Sequence, residues 1–212
     1  ADPVSEQQEL DRVIPVIEYL SDAIDVSIDT SKARVMTAAV EAGAAMINDV
    51  CALQTDGALA AASEAKVPVC LMHMQGSPRT MQHNPTYADV TSDVYQFFED
   101  RINACDIAGI SRELLILDPG FGFGKTPAHN VALLQNLSAF DKLGLPILAG
   151  LSRKSLIAEV INKPAHERVI ASVALAMLAW QNGASIIRVH DVAETSEALK
   201  MCHYIKSFQG EG

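Results

Sequence analysis

Aromatic residues are scarce in this sequence and make up only 5% of its 212 residues. Hydrophobic residues nevertheless account for 49% of the chain, so Val, Ile, Leu, Met and Ala must fill the core. Runs of small and β-branched apolar residues are typical of parallel strands that are covered on both faces of a sheet. A chain of this length suits one domain. We therefore expect a single α/β domain over residues 1–212.

Basic residues are too few for a nucleic-acid-binding protein. The 16 lysines and arginines are outnumbered by 26 aspartates and glutamates, which gives a net charge of −10. Binding to DNA or RNA depends on clustered Lys and Arg, and the sequence contains no basic stripe. It also has no apolar run approaching the ~20 residues of a membrane span. We expect neither nucleic acid nor membrane as a partner.

Paired cysteines are missing as well. The four cysteines, Cys51, Cys70, Cys105 and Cys202, include no CxxC pair and no repeated spacing. Disulfide frameworks and zinc sites have such spacings, and no signal-peptide pattern is found. The sequence therefore favours a cytoplasmic protein with reduced thiols.

One arrangement recurs along the chain: an amphipathic helix, a glycine, a short apolar run and a polar residue. Short apolar runs that alternate with helices are typical of βαβ units and a parallel sheet. The predicted strands are 26–28, 45–47, 67–72, 114–117, 146–149 and 186–187. The predicted helices are 6–20, 35–42, 88–107, 131–142, 167–181 and 194–208.

Two folds accommodate six parallel strands: an open doubly wound sheet and part of an eight-stranded (β/α)8, or TIM, barrel. An open sheet gathers its ligand groups at one topological switch point. Here every strand is followed by a polar residue, or by a glycine and then one, as at the C-terminal face of a barrel. We predict an α/β TIM barrel with six of its eight strands apparent. A complete barrel typically takes about 250 residues, so we expect the domain to lack two N-terminal strand–helix units.

The most specific segment is DPGFGFGKT, residues 118–126. It fails the P-loop pattern because Pro119 stands where a glycine is required, and its glycine spacing also differs from the GxGxxG of dinucleotide-binding folds. A loop that leaves a strand end is the better interpretation, with glycines that let the backbone approach a ligand closely. Phe121 and Phe123 could then cover a flat ring.

Three acid or amide side chains follow predicted strands: Asp29, Asn48 and Asp118. A carboxylate accepts two parallel N–H bonds and so suits the amidine- or guanidine-like edge of a heterocycle, whereas an amide both donates and accepts. The alternative for each acid is helix capping, because the segment from Asp29 to Ser31 has the composition of an N-cap.

Cationic groups follow the last two strands. The segment from Ser152 to Ser155, SRKS, opens a helix, and a helix start with Lys and Ser is a natural anion site. Arg188 and His190 alternate on one face of the last strand, which indicates a phosphate or diphosphate subsite. The alternative for the SRKS segment is a solvated surface cation, and the alternative for Arg188 is a buried structural ion pair, with Asp191 as one possible partner.

These segments together resemble the dihydropteroate synthase family. The matching blocks run in family order over essentially the whole chain: SIDTS (27–31), IND (47–49), LMHMQG (71–76), LDPGFGFGK (117–125), GLSRKS (150–155) and RVHD (188–191). The resemblance implies a TIM-barrel transferase of folate biosynthesis, a sulfonamide target that joins 6-hydroxymethyl-7,8-dihydropterin diphosphate to p-aminobenzoate and releases diphosphate. It also implies Mg²⁺ as the cofactor and a cytoplasmic homodimer.

The resemblance assigns roles to ten residues. The implied catalytic residues are Asp29, Asp118 and Lys154. The implied pterin-binding residues are Asp29, Asn48, Met72, Asp118, Phe123, Gly150 and Lys154. Arg188 and His190 would hold the diphosphate, and Lys154 and Ser155 would border p-aminobenzoate. The family's metal ligand is expected in an N-terminal loop that has no counterpart in this sequence.

Three other functions remain open. A barrel like the methyltetrahydrofolate methyltransferases would share the pterin pocket but handle no diphosphate, so Arg188 and His190 argue against it. A Schiff-base aldolase would use Lys154 and would be trapped by borohydride with its carbonyl substrate. An inactive barrel fragment would bind pterin and form no product.

Overall fold

The structure is a computed structural model and describes residues 4–77 and 80–208. The strands are β1 Ser27–Asp29, β2 Met46–Asp49, β3 Val69–Met72, β4 Leu115–Asp118, β5 Leu148–Ala149 and β6 Ile186–Ile187. The α-helices are α1 Glu6–Leu20, α2 Ala33–Glu41, α3 Ala58–Ala65, α4 Val90–Ile107, α5 Pro127–Gln135, α6 Ser155–Val160, α7 Val169–Gln181 and α8 Val192–Ser207. Short 3-10 helices cover Arg112–Leu114, Leu137–Leu143 and Ala165–Glu167. None of these helices is both long and apolar enough to cross a membrane.

All strand pairs are parallel, and each strand lies beside the one that precedes it in the chain. One sheet has the order β1-β2-β3-β4, and β5 pairs with β6. A bridge between Leu117 and Ile147 joins β4 to β5. This sequential order has no reversal, so it contains no switch point of the kind that defines a doubly wound sheet. The six strands form the arc of a (β/α)8 barrel, and the predicted fold class is confirmed.

The strands separate two layers of apolar side chains, because successive residues of a strand point to opposite faces. One layer faces the helices and belongs to the main core, where Val35 of α2, Phe98 of α4 and Leu133 of α5 are fully buried. Its strand residues include Ile28, Ile47, Val69, Leu71, Leu115, Leu117 and Ile147. The other layer fills the barrel lumen with a second cluster of Met46, Cys70, Ile116, Leu148 and Ile186.

The helix boundaries show where local capping overrides periodicity. Helix α1 matches its prediction, with Ser5 and Gln8 forming a capping box. The helix predicted over 131–142 is wrong at both ends. A second capping box, between Thr126 and His129, starts α5 at Pro127, and the chain continues after Gln135 as a 3-10 helix. Helix α3 was not predicted, since its run of alanines carries only a weak pattern.

Candidate functional site

One row of side chains faces the barrel mouth at the C-terminal ends of the strands. Each member follows a lumen-facing residue of its own strand by two positions, so it lies on the same face. In β3 and β4, for example, Met72 follows Cys70 and pairs in register with Asp118, which follows Ile116. The row consists of Asp29, Asn48, Met72, Asp118, Gly150 and Arg188. The structure thus gathers on one face six residues to which the sequence assigned a role.

The acids of this row are not helix caps. The N-cap of α2 is Lys32, which forms no side-chain cap hydrogen bond. The N-cap of α5 is Thr126. Asp118 Oδ1 instead accepts a hydrogen bond from Gly120 N at 2.8 Å. The capping alternative for Asp29 and Asp118 is therefore wrong, and both carboxylates are aimed at the mouth.

Opposite charges meet across this row. Arg188 Nη2 donates to Asp29 Oδ2 at 3.2 Å, which links the end of β6 to the end of β1. Burial raises the pKa of Asp118, while Lys154, the Gly120 amide, Lys125 and Arg188 oppose that rise. A ligand that donates N–H groups to this carboxylate would favour its charged form, because hydrogen bonding to a carboxylate lowers its pKa.

Lys154 lies between the loop that follows β4 and the mouth. Its Nζ donates to the carbonyl of Phe121 and lies 4.8 Å from the centroid of the Phe123 ring. A Cβ added to Gly150 would lie 3.8 Å from this Nζ and 3.9 Å from Cβ of Arg188. Burial lowers the pKa of Lys154, with Asp118 opposing and Arg188 adding to the effect. These contacts bring Phe123, Gly150 and Lys154 together.

The loops after β5 and β6 are joined by two side-chain contacts. His190 Nδ1 lies 3.0 Å from Ser152 Oγ. Arg153 forms a bidentate ion pair with Asp191, including Nε to Oδ2 at 3.1 Å, which lowers the pKa of Asp191. Asp191, one possible partner for a structural ion pair of Arg188, pairs with Arg153 instead, and Arg188 pairs with Asp29. The nearer partner of Asp191 is Arg153, which the sequence did not single out.

Ser155 differs from the other assigned residues. It is the first residue of α6, and its side chain is exposed. The prediction that the SRKS segment opens a helix is confirmed, but that helix has only six residues. Among the residues that the structure describes, the Ser155 side chain forms no hydrogen bond with the row at the mouth.

A buried lysine that the sequence did not assign lies behind the site. Lys125 is 3% exposed, and its Nζ donates to the carbonyls of Gly120 at 2.9 Å, Phe123 at 3.0 Å and His73 at 3.3 Å. It also lies 2.9 Å from His73 Nδ1. Burial lowers the pKa of Lys125 to about 7, and burial together with Lys125 lowers the pKa of His73 to about 3. The pairing of Lys125 with His73 joins two loops that are distant in sequence, so no local sequence pattern indicated it.

A second residue without an assigned role supports Asn48. Asp49 is fully buried and accepts hydrogen bonds from Ser31 Oγ and from the backbone N–H groups of Cys51 and Leu53, the latter two at 2.8 Å. Leu53 has a φ of 58°, which a residue with a side chain adopts at some cost. Asp49 thus fixes the turn that follows Asn48. Its position next to Asn48 in the IND block was the available signal.

The residues that the structure describes do not form a magnesium site made of protein ligands. Over 4–77 and 80–208, no group of three or more His, Cys, Asp or Glu side chains is arranged to hold a metal ion. Mg²⁺ prefers oxygen ligands, usually one or two carboxylates together with water and phosphate oxygens. The described residues therefore offer no ligand set for a resident Mg²⁺.

Comparison with known proteins gives consistent results. A family described as "Pterin binding enzyme" matches residues 1–190. The chain is 54% identical over 203 residues to the dihydropteroate synthase of Haemophilus influenzae, covering 95% of this chain and 74% of that protein. It is 50% identical over 200 residues to the Escherichia coli dihydropteroate synthase, covering 93% of this chain and 71% of that protein.

Solved structures show the same similarity. A Yersinia pestis dihydropteroate synthase in a sulfonamide drug complex superposes with a TM-score of 0.94 at 53% identity, covering 96% of this chain and 75% of that one. A Stenotrophomonas maltophilia dihydropteroate synthase with imidazole in its active site superposes with a TM-score of 0.96 at 50% identity, covering 98% of this chain and 80% of that one.

The neutral state of His73 predicts a loss of stability in acid. Its folded pKa of about 3 lies below the ordinary 6.5, so between these values only the unfolded chain takes up the proton. The contribution of neutral His73 to the free energy of unfolding is fully present above pH 6.5. It decreases towards pH 3, by at most about 1.4 kcal/mol per pH unit. Urea unfolding of wild type and His73→Gln at pH 7, 6 and 5 measures this difference. We expect wild type to lose more stability than the variant, and parallel losses would contradict a neutral His73.

Proposed function

Because this chain belongs to the dihydropteroate synthase family of pterin-binding enzymes, we propose that it joins 6-hydroxymethyl-7,8-dihydropterin diphosphate to p-aminobenzoate and releases diphosphate. The observation that carries this proposal is the row of six residues at the barrel mouth, in which two carboxylates, an amide and an arginine face one space. These are the groups that a pterin diphosphate needs: acceptors for its ring edge and a cation for its phosphates.

The ring edge of the pterin forms hydrogen bonds with the acids and the amide of the row. The amino-pyrimidine part of the ring presents adjacent N–H donors, which pair with a carboxylate through two parallel hydrogen bonds. Asp118 is buried at the end of β4 and takes this role, while Asn48, which is 6% exposed, donates and accepts at the amide edge. Asp29 contacts the ring from the end of β1. Met72 and Phe123 pack against its faces, and Gly150 leaves room beside Lys154.

The chemical step breaks the bond between the pterin methylene carbon and the diphosphate oxygen, and the electron pair leaves with the oxygen. The cation that develops on the methylene and ring is stabilised by Asp118 and Asp29, as fixed charges that need no reorganisation. The nitrogen of p-aminobenzoate, bordered by Lys154 and Ser155, attacks the carbon and then loses a proton to solvent. No nucleophile from the protein is required.

The leaving diphosphate is held by Arg188 and His190. Arg188 is exposed at the mouth, and a guanidinium binds phosphate oxygens in a bidentate manner. His190 is exposed and lies beside Ser152, so its other ring nitrogen is free to face the anion. We propose that Mg²⁺ accompanies the diphosphate and is bound mainly by phosphate oxygens, the mode that this ion favours.

The assembly and the cellular location extend the same proposal. Exposed apolar residues lie on α7 and α8: Ile170, Leu178, Met201, Tyr204 and Ile205. Surface apolar residues of this kind suit an interface between two copies of the chain. We expect a homodimer by light scattering, and a mass near the 22.7 kDa of one chain would contradict it. The reduced cysteines fit the proposed cytoplasmic location.

The proposal predicts formation of 7,8-dihydropteroate. The purified chain is incubated with dihydropterin diphosphate, p-aminobenzoate and Mg²⁺, and product is measured by chromatography, with EDTA in a parallel reaction to test the Mg²⁺ requirement. The intact mass of the same sample is determined. Binding of 6-hydroxymethylpterin is measured by calorimetry on that sample.

The outcomes separate the alternatives. Product formation supports the synthase. Pterin binding without product supports a barrel that binds pterin without turnover. No binding and no product would contradict the proposal, and transfer of a methyl group from methyltetrahydrofolate would favour the methyltransferase alternative.

Substitution of Asp118 tests the assignment of the pterin edge. In Asp118→Asn, the side-chain oxygen can still accept from Gly120 N, while one carboxylate oxygen becomes an N–H₂ donor that opposes the donors of the ring. The free energy of pterin binding should become less favourable by roughly 1–3 kcal/mol, the range for losing a hydrogen bond to a charged group. The matched control is Asp22→Asn, at an exposed position, which should bind as wild type does. Equal affinities of the two variants by calorimetry would remove Asp118 from the pterin site.

A further inference from the structure

Two loops behind the mouth pack so closely that their backbones are in direct contact. We call residues 119–125 the β4 loop and residues 73–77 the β3 loop. A Cβ added to Gly120 would lie 1.9 Å from the carbonyl oxygen of His73, and one added to Gly124 would lie 2.5 Å from that of Gln75. Both glycines have positive φ, 68° and 60°. The β4 loop therefore has its present course only because two glycines let it touch the β3 loop.

This close packing leaves carbonyl oxygens that converge away from water. The carbonyls of Gly120 and Phe123, from the β4 loop, and of His73, from the β3 loop, meet around Lys125 Nζ. Buried carbonyls without donors cost free energy. A protonated lysine has three N–H groups for three carbonyls, whereas a neutral amine has two. Lys125 thus occupies the place that a small cation would take between the loops.

Burying this lysine has a cost as well as a benefit. Taking an ammonium group out of water is costly, whereas an apolar side chain of the same volume would avoid that cost but leave the three carbonyls without donors. The pKa of Lys125, lowered to about 7, reflects this cost. The contacts around the carbonyls that Lys125 binds indicate what this lysine contributes to the site.

The partners of Lys125 alternate with those of Lys154 along one loop. Lys125 binds the carbonyls of residues 120 and 123 from behind. Lys154 binds the carbonyl of Phe121 from the side of the mouth, and its Nζ lies over the ring of Phe123. The β4 loop is therefore held between two lysines. The position of Phe123 depends on Lys125 at its backbone and on Lys154 at its ring.

We propose that Lys125 is a positioning residue for the pterin site: by tying the β4 loop to the β3 loop, it sets the place of the Phe123 ring and of the carbonyl that orients Lys154. It touches no substrate and acts through those two groups. The inference rests on the proposed function, since it concerns the same site.

The test compares Lys125→Met with two controls. Methionine has a similar length and no donor. Lys142→Met removes an exposed lysine from the far 3-10 helix. Val35→Ala removes buried volume from α2 and supplies a variant that is destabilised without a change at the mouth. Each protein is measured for its affinity for 6-hydroxymethylpterin by calorimetry, for its urea unfolding midpoint, and for amide hydrogen exchange of Phe123, whose N–H donates to the Gly120 carbonyl at 3.0 Å.

We expect Lys125→Met to bind pterin about tenfold more weakly, the change that corresponds to about one hydrogen bond. We also expect the Phe123 amide to exchange faster, while helix α4 exchanges as in wild type. Val35→Ala should lose stability and keep both its pterin affinity and its Phe123 protection. Lys142→Met should match wild type throughout. A purely structural role would instead make Lys125→Met and Val35→Ala alike in all measurements.

Two results would overturn the inference: wild-type affinity together with wild-type Phe123 exchange in Lys125→Met, or equal losses of affinity in that variant and Val35→Ala. If Lys125→Met does not fold, Lys125→Gln, which keeps two N–H donors, is taken through the same measurements with the same criteria. Absence of pterin binding in wild type would contradict the proposed function, and exchange of the Phe123 amide would still decide whether Lys125 holds the loop.

Discussion

The strict alternation of side chains along six parallel strands is the constraint on which the rest of this structure depends. Because the strands are in sequential register, residues of one parity enter the helix-facing core and those of the other parity enter the lumen. The same parity, continued two residues beyond the lumen cluster, aims Asp29, Asn48, Met72, Asp118, Gly150 and Arg188 at one mouth. A slip of one residue in any strand would exchange an apolar core residue for a member of this row.

The buried Asp and Lys side chains of this apolar framework all have polar partners. Asp118 is backed by an amide and two lysines. Asp49 is surrounded by donors from its own turn and from Ser31, and Lys125 by carbonyls. The buried Asp, His and Lys side chains of the described residues therefore lie at or beyond the C-terminal ends of the strands, where loop backbone is available. The sheet interior between them is filled by aliphatic side chains and Cys70.

The sequence predicted the strands and the barrel because both depend on local, repeated signals: short apolar runs, glycine stops and a polar residue at each strand end. The same signals indicated Asp29, Asn48, Asp118 and Arg188 at the mouth, whereas the roles of Met72 and Gly150 followed only from the family resemblance. The sequence did not predict features that depend on contacts between distant loops. Asp191 pairs with Arg153 from the loop after β5 rather than with Arg188, and the acceptors of Lys125 are backbone atoms of two loops. The predicted start of α5 is wrong because the capping box at Thr126 begins the helix before the apolar pattern does.

The ion pair between Arg188 and Asp29 has a consequence for how a ligand enters. Both side chains are largely exposed, so the pair contributes little to stability and can be exchanged at small cost. An anion that takes Arg188 releases Asp29, and a ring that takes Asp29 releases Arg188. Once one half of the ligand has broken the ion pair, the other half binds without that free-energy cost. The two halves of a single ligand are thereby thermodynamically linked.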